Sequence, residues 1–155
     1  MDQTQTPNAA DSSLLLPILK QIPLFATLDE NQHKEIIQHI VMMYYPLNYT
    51  LLRQGEEGDA LYIIKKGQVD IFKEPLTEGD LPSSLATITD GGFFGEMALV
   101  SDVPRNASAR TITECEIFIL SKTDFKTLLA TNTAIAEQIS AAMVDRLNAN
   151  DLTNR

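Results

Sequence analysis

The feature that most constrains the fold of this 155-residue chain is a central series of short, β-prone segments separated by glycines. Each segment is rich in β-branched or other apolar residues, and the glycines between them permit tight turns. The predicted strands cover residues 42–47, 50–53, 60–65, 68–73, 85–89, 107–112 and 116–120. Many short strands with turn signals between them are typical of a β barrel or a jelly roll.

Helical patterns flank this β-rich centre on both sides. Before it, residues 14–24, which are interrupted by Pro17 and Pro23, are predicted to form a short helix that leads into a tight turn at Phe25-Ala26. A second helix is predicted to begin near Thr27. After it, one helix is predicted over residues 122–130 and another over residues 133–148. The order helices, strands, helices predicts the α+β fold class.

The same pattern predicts one domain over residues 13–150, because no internal repeat and no linker interrupts it. Residues 1–12 are polar and lack an apolar period, so a flexible tail is expected there. Residues 151–155 are expected to form a loose C-terminus.

The charge balance excludes one large class of function. The formal net charge is −9, whereas proteins that bind nucleic acid through its phosphates need a basic surface. No apolar stretch is long enough to span a bilayer and no signal peptide is visible, so a cytoplasmic location without membrane contact is expected. A helix-turn-helix is not expected either, since no sequence remains for one after the last predicted helix.

Few side chains are arranged for metal binding or catalysis. Cys115 is the only cysteine and lies in an apolar strand, which favours a buried structural thiol. His33 and His39 are six residues apart on one predicted helix, a spacing that places them on different faces, and both are expected at the surface or half-buried. No histidine lies near a serine or threonine in a triad-like pattern, so we predict no metal, no cofactor and no enzymatic activity.

The segment that carries chemistry runs from residue 94 to residue 107. Gly95 allows the backbone to approach a ligand closely, and residues 96–99 can form one helical turn whose free N–H groups point at an anion. Pro104 stiffens the chain before Arg105, whose guanidinium fork matches two phosphate oxygens. These residues suggest a phosphate pocket, although arginines also pair with carboxylates in many protein cores.

This segment resembles the phosphate-binding cassette of the cyclic nucleotide-binding domain family, to which the catabolite activator protein and protein kinase A regulatory subunits belong. The resemblance rests on Phe94-Gly95-Glu96-Met97-Ala98-Leu99 followed by Pro104-Arg105-Asn106-Ala107, and it continues in Arg53-Gln54-Gly55-Glu56-Glu57-Gly58-Asp59-Ala60-Leu61-Tyr62, Gly67-Gln68-Val69-Asp70-Ile71 and Leu24-Phe25-Ala26-Thr27-Leu28. It covers residues 14–148 and implies an eight-stranded jelly-roll barrel with N-terminal helices and two C-terminal helices.

The resemblance also implies a role for individual residues. Arg105 is expected to pair with the cyclic phosphate, and Glu96 to accept a hydrogen bond from the ribose 2′-hydroxyl. Backbone N–H groups of Gly95, Ala98 and Ala107 are expected to help hold the phosphate and the sugar. The full ligand-binding set implied is Phe94, Gly95, Glu96, Met97, Ala98, Arg105, Asn106 and Ala107.

Two positions depart from the family pattern. Asn48 stands where the family usually has a glycine in a turn, and asparagine is the next-best residue for a left-handed conformation. Asn106 follows the phosphate arginine, where cAMP-selective relatives often carry alanine or serine and cGMP-selective ones threonine. Its amide both donates and accepts hydrogen bonds, so cAMP is favoured as the ligand while cGMP stays open.

The last predicted helix is expected to transmit the signal. In the family the corresponding helix folds over the bound base, which implies that Met143 or Leu147 packs on the purine. An apolar stripe on a terminal helix is more often core or dimer contact, and this one is too short for more than a weak homodimer.

The leading hypothesis is therefore a non-catalytic sensor that binds a cyclic nucleotide monophosphate and reports it to an unidentified effector protein. The alternative is a divergent domain of the same fold that has lost its ligand and acts as a protein interaction module. Intact Glu96 and Arg105 argue against the alternative, while Asn106 leaves it open.

Overall fold

The computed structural model describes residues 5–75 and 77–153. They fall into two compact units: a β unit containing Ile40–Lys122, and a helical unit containing Pro7–His39 and the chain from Thr123 onward. The elements are α1 (Ala9–Gln21), α2 (Glu30–Ile37), β1 (Val41–Tyr45), β2 (Thr50–Leu52), β3 (Ala60–Lys66), β4 (Val69–Lys73), β5 (Ser83–Ile88), β6 (Phe93–Phe94), a 3-10 helix (Glu96–Leu99), β7 (Ser108–Thr111), β8 (Cys115–Ser121), α3 (Lys122–Thr131) and α4 (Thr133–Thr153).

The β unit consists of two four-stranded antiparallel sheets, with strand orders β1-β8-β3-β6 and β2-β7-β4-β5. Most neighbouring strands are distant in sequence, as in a jelly roll, so the predicted α+β class and eight-stranded jelly-roll architecture are confirmed. The two-residue strand β6 is an addition to the prediction. It pairs with β3 through Tyr62 and Ile63 at the edge of its sheet, and so places the start of the segment 94–107 beside β3.

The core of the β unit lies between the two sheets and is built from the inward-facing residues of both. Strand β3 contributes most, because its first five residues are all buried. The buried members of this core are Ala60, Tyr62, Ile64, Val69, Ala109, Cys115 and Ile117. Cys115 is 3% exposed, as expected of a structural thiol.

Asn48 adopts the left-handed conformation that its position requires, with φ of 65°. Its N–H donates to the carbonyl oxygen of Thr111 at 2.9 Å. The Thr111 hydroxyl accepts from the N–H of Tyr49 at 2.7 Å and donates to the carbonyl oxygen of Pro46 at 2.7 Å. Thr111 is fully buried, so its hydroxyl provides buried hydrogen-bond partners for the backbone of the turn.

Helix α1 begins inside the segment expected to be a flexible tail. Asn8 caps it, since its side-chain oxygen accepts from the N–H of Asp11 at 2.8 Å and the Asp11 carboxylate accepts from the N–H of Asn8 at 3.1 Å. The predicted interruption at Pro17 is wrong, because α1 continues through Pro17 to Gln21. At the other end, α4 extends to Thr153, beyond the predicted end at residue 148.

Helix α2 is capped by Asp29 and carries a buried histidine. His33 is fully buried, and its Nε2–H donates to the carbonyl oxygen of Phe25 at 2.8 Å. The expectation of a surface or half-buried His33 is therefore wrong, because the ring is hydrogen-bonded to the segment that precedes α2. His39 is half-buried, as expected. Among the described residues, no helix is long and apolar enough to cross a membrane.

Candidate functional site

The site begins at Gly95, which joins β6 to the 3-10 helix Glu96–Leu99. Gly95 has φ of 86°, a left-handed conformation that favours glycine. A Cβ at this position would lie 2.8 Å from the carbonyl oxygen of Ala60, so any side chain would push β6 away from β3. The predicted helical turn after Gly95 is present as this single 3-10 turn.

The backbone of Arg105 is hydrogen-bonded to the loop between β2 and β3. The N–H of Arg105 donates to the carbonyl oxygen of Glu56 at 2.8 Å, and the N–H of Gly55 donates to the carbonyl oxygen of Arg105 at 2.8 Å. Glu57 and Pro104 form an isolated antiparallel bridge next to these bonds. The backbone under Arg105 is thus fixed from both sides before any ligand is considered.

The Arg105 guanidinium lies between two glycines. A Cβ on Gly58 would be 2.3 Å from its Nε, and a Cβ on Gly95 would be 3.0 Å from its Nη1. Its Nη2 donates to the carbonyl oxygen of Ala60 at 3.1 Å. The absence of a side chain on Gly58 and Gly95 therefore creates the slot that holds the guanidinium.

Arg105 forms no ion pair with a carboxylate of the described residues. Its Nε is buried and has no hydrogen-bond partner in the described part of the chain, and no carboxylate there lies within 4.0 Å of its nitrogens. Burial lowers the pKa of the guanidinium, while the nearby Tyr62 and Asp59 act in the opposite direction; arginine stays protonated under such shifts. A half-buried cation with an unused donor is suited to an anion.

A cavity of about 230 Å³ opens beside this guanidinium. It is lined by Met97, Ala98, Ser101, Val103, Pro104, Arg105 and Asn106. Sites that enclose a drug-sized molecule are usually roughly 300–1,000 Å³. This cavity is therefore smaller than a site that encloses a whole drug-sized molecule.

The remaining residues of the predicted set occupy different environments. Glu96 is 7% exposed and Ala107 is 8% exposed, whereas Asn106 is exposed at the rim of the cavity. The N–H of Ala98 donates to the carbonyl oxygen of Gly95 at 3.1 Å, so this donor would have to be shared if it also bound a phosphate. On α4, Met143 is half-buried, and the side chain of Leu147 lies outside the described residues.

Lys122 ties together two loops near the site. Its ammonium group donates to the carbonyl oxygen of Ser101 at 3.2 Å, pairs with Asp102, and lies 3.8 Å from the Glu57 carboxylate. Ser101 lines the cavity, and Glu57 is the bridge partner of Pro104, the residue before Arg105. The Lys122 side chain is 14% exposed, whereas the side chains of Glu57 and Asp102 are 62% and 78% exposed, so the ammonium group is sheltered while its carboxylate partners face solvent.

Sequence reasoning missed two contributors, Gly58 and Tyr62. The sequence presents Gly58 only as one residue of the 53–62 motif, since its closeness to Arg105 is a contact between distant parts of the chain. Tyr62 stacks on Phe94 with ring centroids 5.0 Å apart and ring planes 9° apart. Burial, with a smaller contribution from Asp59, raises the pKa of Tyr62 to about 12.

Known proteins share this sequence and fold. The family model of the cyclic nucleotide-binding domain matches residues 42–132. The cAMP-dependent protein kinase regulatory subunit of Aspergillus fumigatus is 32% identical over 111 residues, which are 72% of this chain and 26% of that protein. The cyclic AMP receptor protein of Thermus thermophilus is 30% identical over 134 residues, which are 86% of this chain and 61% of that protein.

Among solved structures, the regulatory domain of Toxoplasma gondii PKA, co-crystallised with cAMP, is similar at a TM-score of 0.68 and 27% identity. The similarity covers 78% of this chain and 45% of that one. This chain spans about a quarter of the fungal subunit and less than two thirds of the bacterial receptor. These relatives are named as a regulatory subunit and a receptor, which agrees with the prediction of a non-catalytic domain.

The family match covers more than half of the chain and includes the whole segment from Phe94 to Ala107. The jelly-roll sheets, the glycine-lined arginine slot and the 3-10 turn lie within that match or are formed by its residues. This chain belongs to the cyclic nucleotide-binding domain family.

Proposed function

We propose that this chain binds a cyclic nucleotide monophosphate, with cAMP favoured over cGMP, and acts as a non-catalytic sensor. The observation that carries the proposal is the half-buried Arg105 guanidinium, which has an unused Nε–H and no carboxylate partner in the described residues. Leaving a cation partly desolvated costs free energy unless an anion compensates for it. A cyclic phosphate supplies one negative charge and oxygens that match the guanidinium fork.

The other groups of the site bind different parts of the ligand. Gly95 and the start of the 3-10 helix offer backbone N–H groups to the phosphate, as does Ala107. Glu96, buried one residue after Gly95, accepts a hydrogen bond from the ribose 2′-hydroxyl. This division also explains why the carboxylate and the phosphate do not compete, since they act at opposite ends of the sugar ring.

The preference for cAMP is supported by the relatives, two of which are named for cAMP. Asn106 is exposed at the cavity rim, where its amide is available to a phosphate oxygen or a purine edge. Both its donor and its acceptor are compatible with adenine and guanine. The base preference is therefore a matter for measurement with both nucleotides.

The signal is proposed to leave through α4, with Met143 or Leu147 packing on the purine and an effector protein sensing the altered helix. Ligand then shifts α4 towards one of two pre-existing positions. Hydrogen exchange of α4 tests this step: protection should rise when cAMP is added. Unchanged protection at saturating cAMP would contradict a role of α4 in signalling.

Thermal unfolding with cAMP, cGMP and AMP in parallel tests the proposed ligand. A ligand at about 100 times its Kd adds roughly 2.7 kcal/mol of stability, which raises the Tm of a domain of this size by roughly 5–10 °C. A shift with a cyclic monophosphate and none with AMP, whose phosphate is open, is the expected result. No shift with either cyclic nucleotide would favour a ligand-free interaction module instead.

A further inference from the structure

The hydroxyl of Tyr62, which lies within electrostatic range of Arg105, has no hydrogen-bond role among the described residues. Tyr62 is 7% exposed, yet its hydroxyl makes no hydrogen bond to any other described residue. The group is not sealed off from solvent, since it is absent from the fully buried polar atoms that lack a partner. It is therefore a donor that faces accessible space.

The position of the Tyr62 ring is fixed by two independent contacts. It stacks nearly parallel on Phe94, and residues 62 and 94 are direct partners in the β3–β6 pairing. It also belongs to the inward face of β3, together with Ala60. A stacked aromatic ring on a central strand has little freedom, so its hydroxyl is held in one direction.

Ala60 and Phe94, the two neighbours of Tyr62 named above, connect it to Arg105. The carbonyl oxygen of Ala60, two residues before Tyr62, accepts the Nη2–H of Arg105 at 3.1 Å. Gly95, the residue after the stacking partner Phe94, forms one wall of the guanidinium slot. The electrostatic influence of Arg105 and Tyr62 on each other's pKa agrees with this closeness.

The protonation state suits a donor. The pKa of Tyr62 is raised to about 12, mainly by burial, so the phenol keeps its proton throughout the physiological range. A neutral O–H next to a cation can share the same anion with it, and hydrogen bonds to a charged acceptor are stronger than those to a neutral one.

We propose that the Tyr62 hydroxyl is a second side-chain donor to the phosphate of the bound ligand, acting beside Arg105. This inference rests on the proposed function, because it assigns a further contact within the same site. It extends the proposed phosphate site from the segment 94–107 to strand β3, beyond the residues that line the cavity beside Arg105.

Tyr62→Phe tests this, because it keeps the stacked ring and removes only the oxygen. Calorimetric titration with cAMP should show about 10-fold to 100-fold weaker binding than the wild type, with a Tm of the free protein within a few degrees of the wild type. Tyr45→Phe is the matched control, since the Tyr45 hydroxyl is already engaged by the sulfur of Met43 at 3.7 Å and its loss should leave the affinity unchanged.

A second readout separates a phosphate contact from a general effect on the barrel. In a double-mutant cycle of Tyr62→Phe and Arg105→Lys, two groups that hold one phosphate should give losses that are not additive. A Tyr62→Phe affinity within two-fold of the wild type, or strictly additive losses, would overturn the inference while leaving cAMP binding by the wild type intact. Failure of the wild type to bind cAMP or cGMP would instead overturn the proposed function, and this inference with it.

Discussion

Gly58→Ala is the substitution that most sharply tests the glycine-lined slot. An added Cβ would lie 2.3 Å from Nε, 2.6 Å from Cζ and 2.7 Å from Nη2 of Arg105, whereas ordinary van der Waals contact begins at 3.4 Å. The guanidinium must therefore move by about 1 Å or rotate out of the slot. Because φ of Gly58 lies outside the left-handed range, alanine adopts this backbone conformation without strain.

The magnitude of the effect follows from what the displaced guanidinium loses. The full charge contact with a buried anion is worth about 2–5 kcal/mol, and a guanidinium displaced by this distance keeps only part of it. We expect cAMP affinity to fall about 10-fold to 100-fold, that is about 1.4–2.7 kcal/mol. Stability should change by less than about 1 kcal/mol, because the lost bond to Ala60 is partly offset by the lower entropy of the unfolded chain.

Calorimetric titration with cAMP, together with thermal unfolding of the free protein, measures both quantities. Gly79→Ala is a suitable control, since Gly79 has φ of 93° and open space around its Cα. That control should lose about 1 kcal/mol of stability with unchanged affinity. Wild-type affinity in Gly58→Ala would refute the argument that the slot between Gly58 and Gly95 presents the guanidinium to the ligand.

Two further predictions concern the barrel itself. Thr111→Val should lower the free energy of unfolding by about 2–4 kcal/mol in denaturant titration, because the N–H of Tyr49 and the carbonyl of Pro46 lose their buried partner. A loss below about 0.5 kcal/mol, the usual effect of an ordinary surface substitution, would contradict it. The raised pKa of Tyr62, from 10.0 unfolded to about 12 folded, means that the unfolded chain releases this proton first as pH rises. Stability from this group should therefore be present below pH 10 and fall by roughly 2–3 kcal/mol as pH rises towards 12, and Tyr62→Phe should lack this part of the alkaline loss.

Much of the site could be predicted from the sequence because its backbone chemistry is local. The turn after Gly95 and the left-handed Asn48 depend on residues adjacent in the chain, and the motif from residue 94 to residue 107 has a specific spacing. The α+β class could also be predicted, because the apolar patterns that distinguish helices from strands are local in the sequence and their order gives the class of fold.

The parts that could not be predicted depend on contacts between distant residues. Strand β6 has only two residues and exists because β3 pairs with it. His33 lies on a short helix with a polar pattern, and only the carbonyl of Phe25 explains its burial. The packing of Gly58 against Arg105 joins residues 47 positions apart, for which the sequence carries no local signal.

Titration of cAMP into the wild type, Arg105→Ala and Arg53→Ala tests the central claim most directly. Arg53 is a matched control, because its side chain is 66% exposed and makes only a surface ion pair of 4.0 Å with Glu56. We predict binding by the wild type, unchanged affinity in Arg53→Ala, and a loss of roughly 30-fold to several thousand-fold in Arg105→Ala. Equal affinity of the wild type and Arg105→Ala would contradict the assignment of Arg105 as the phosphate-binding residue.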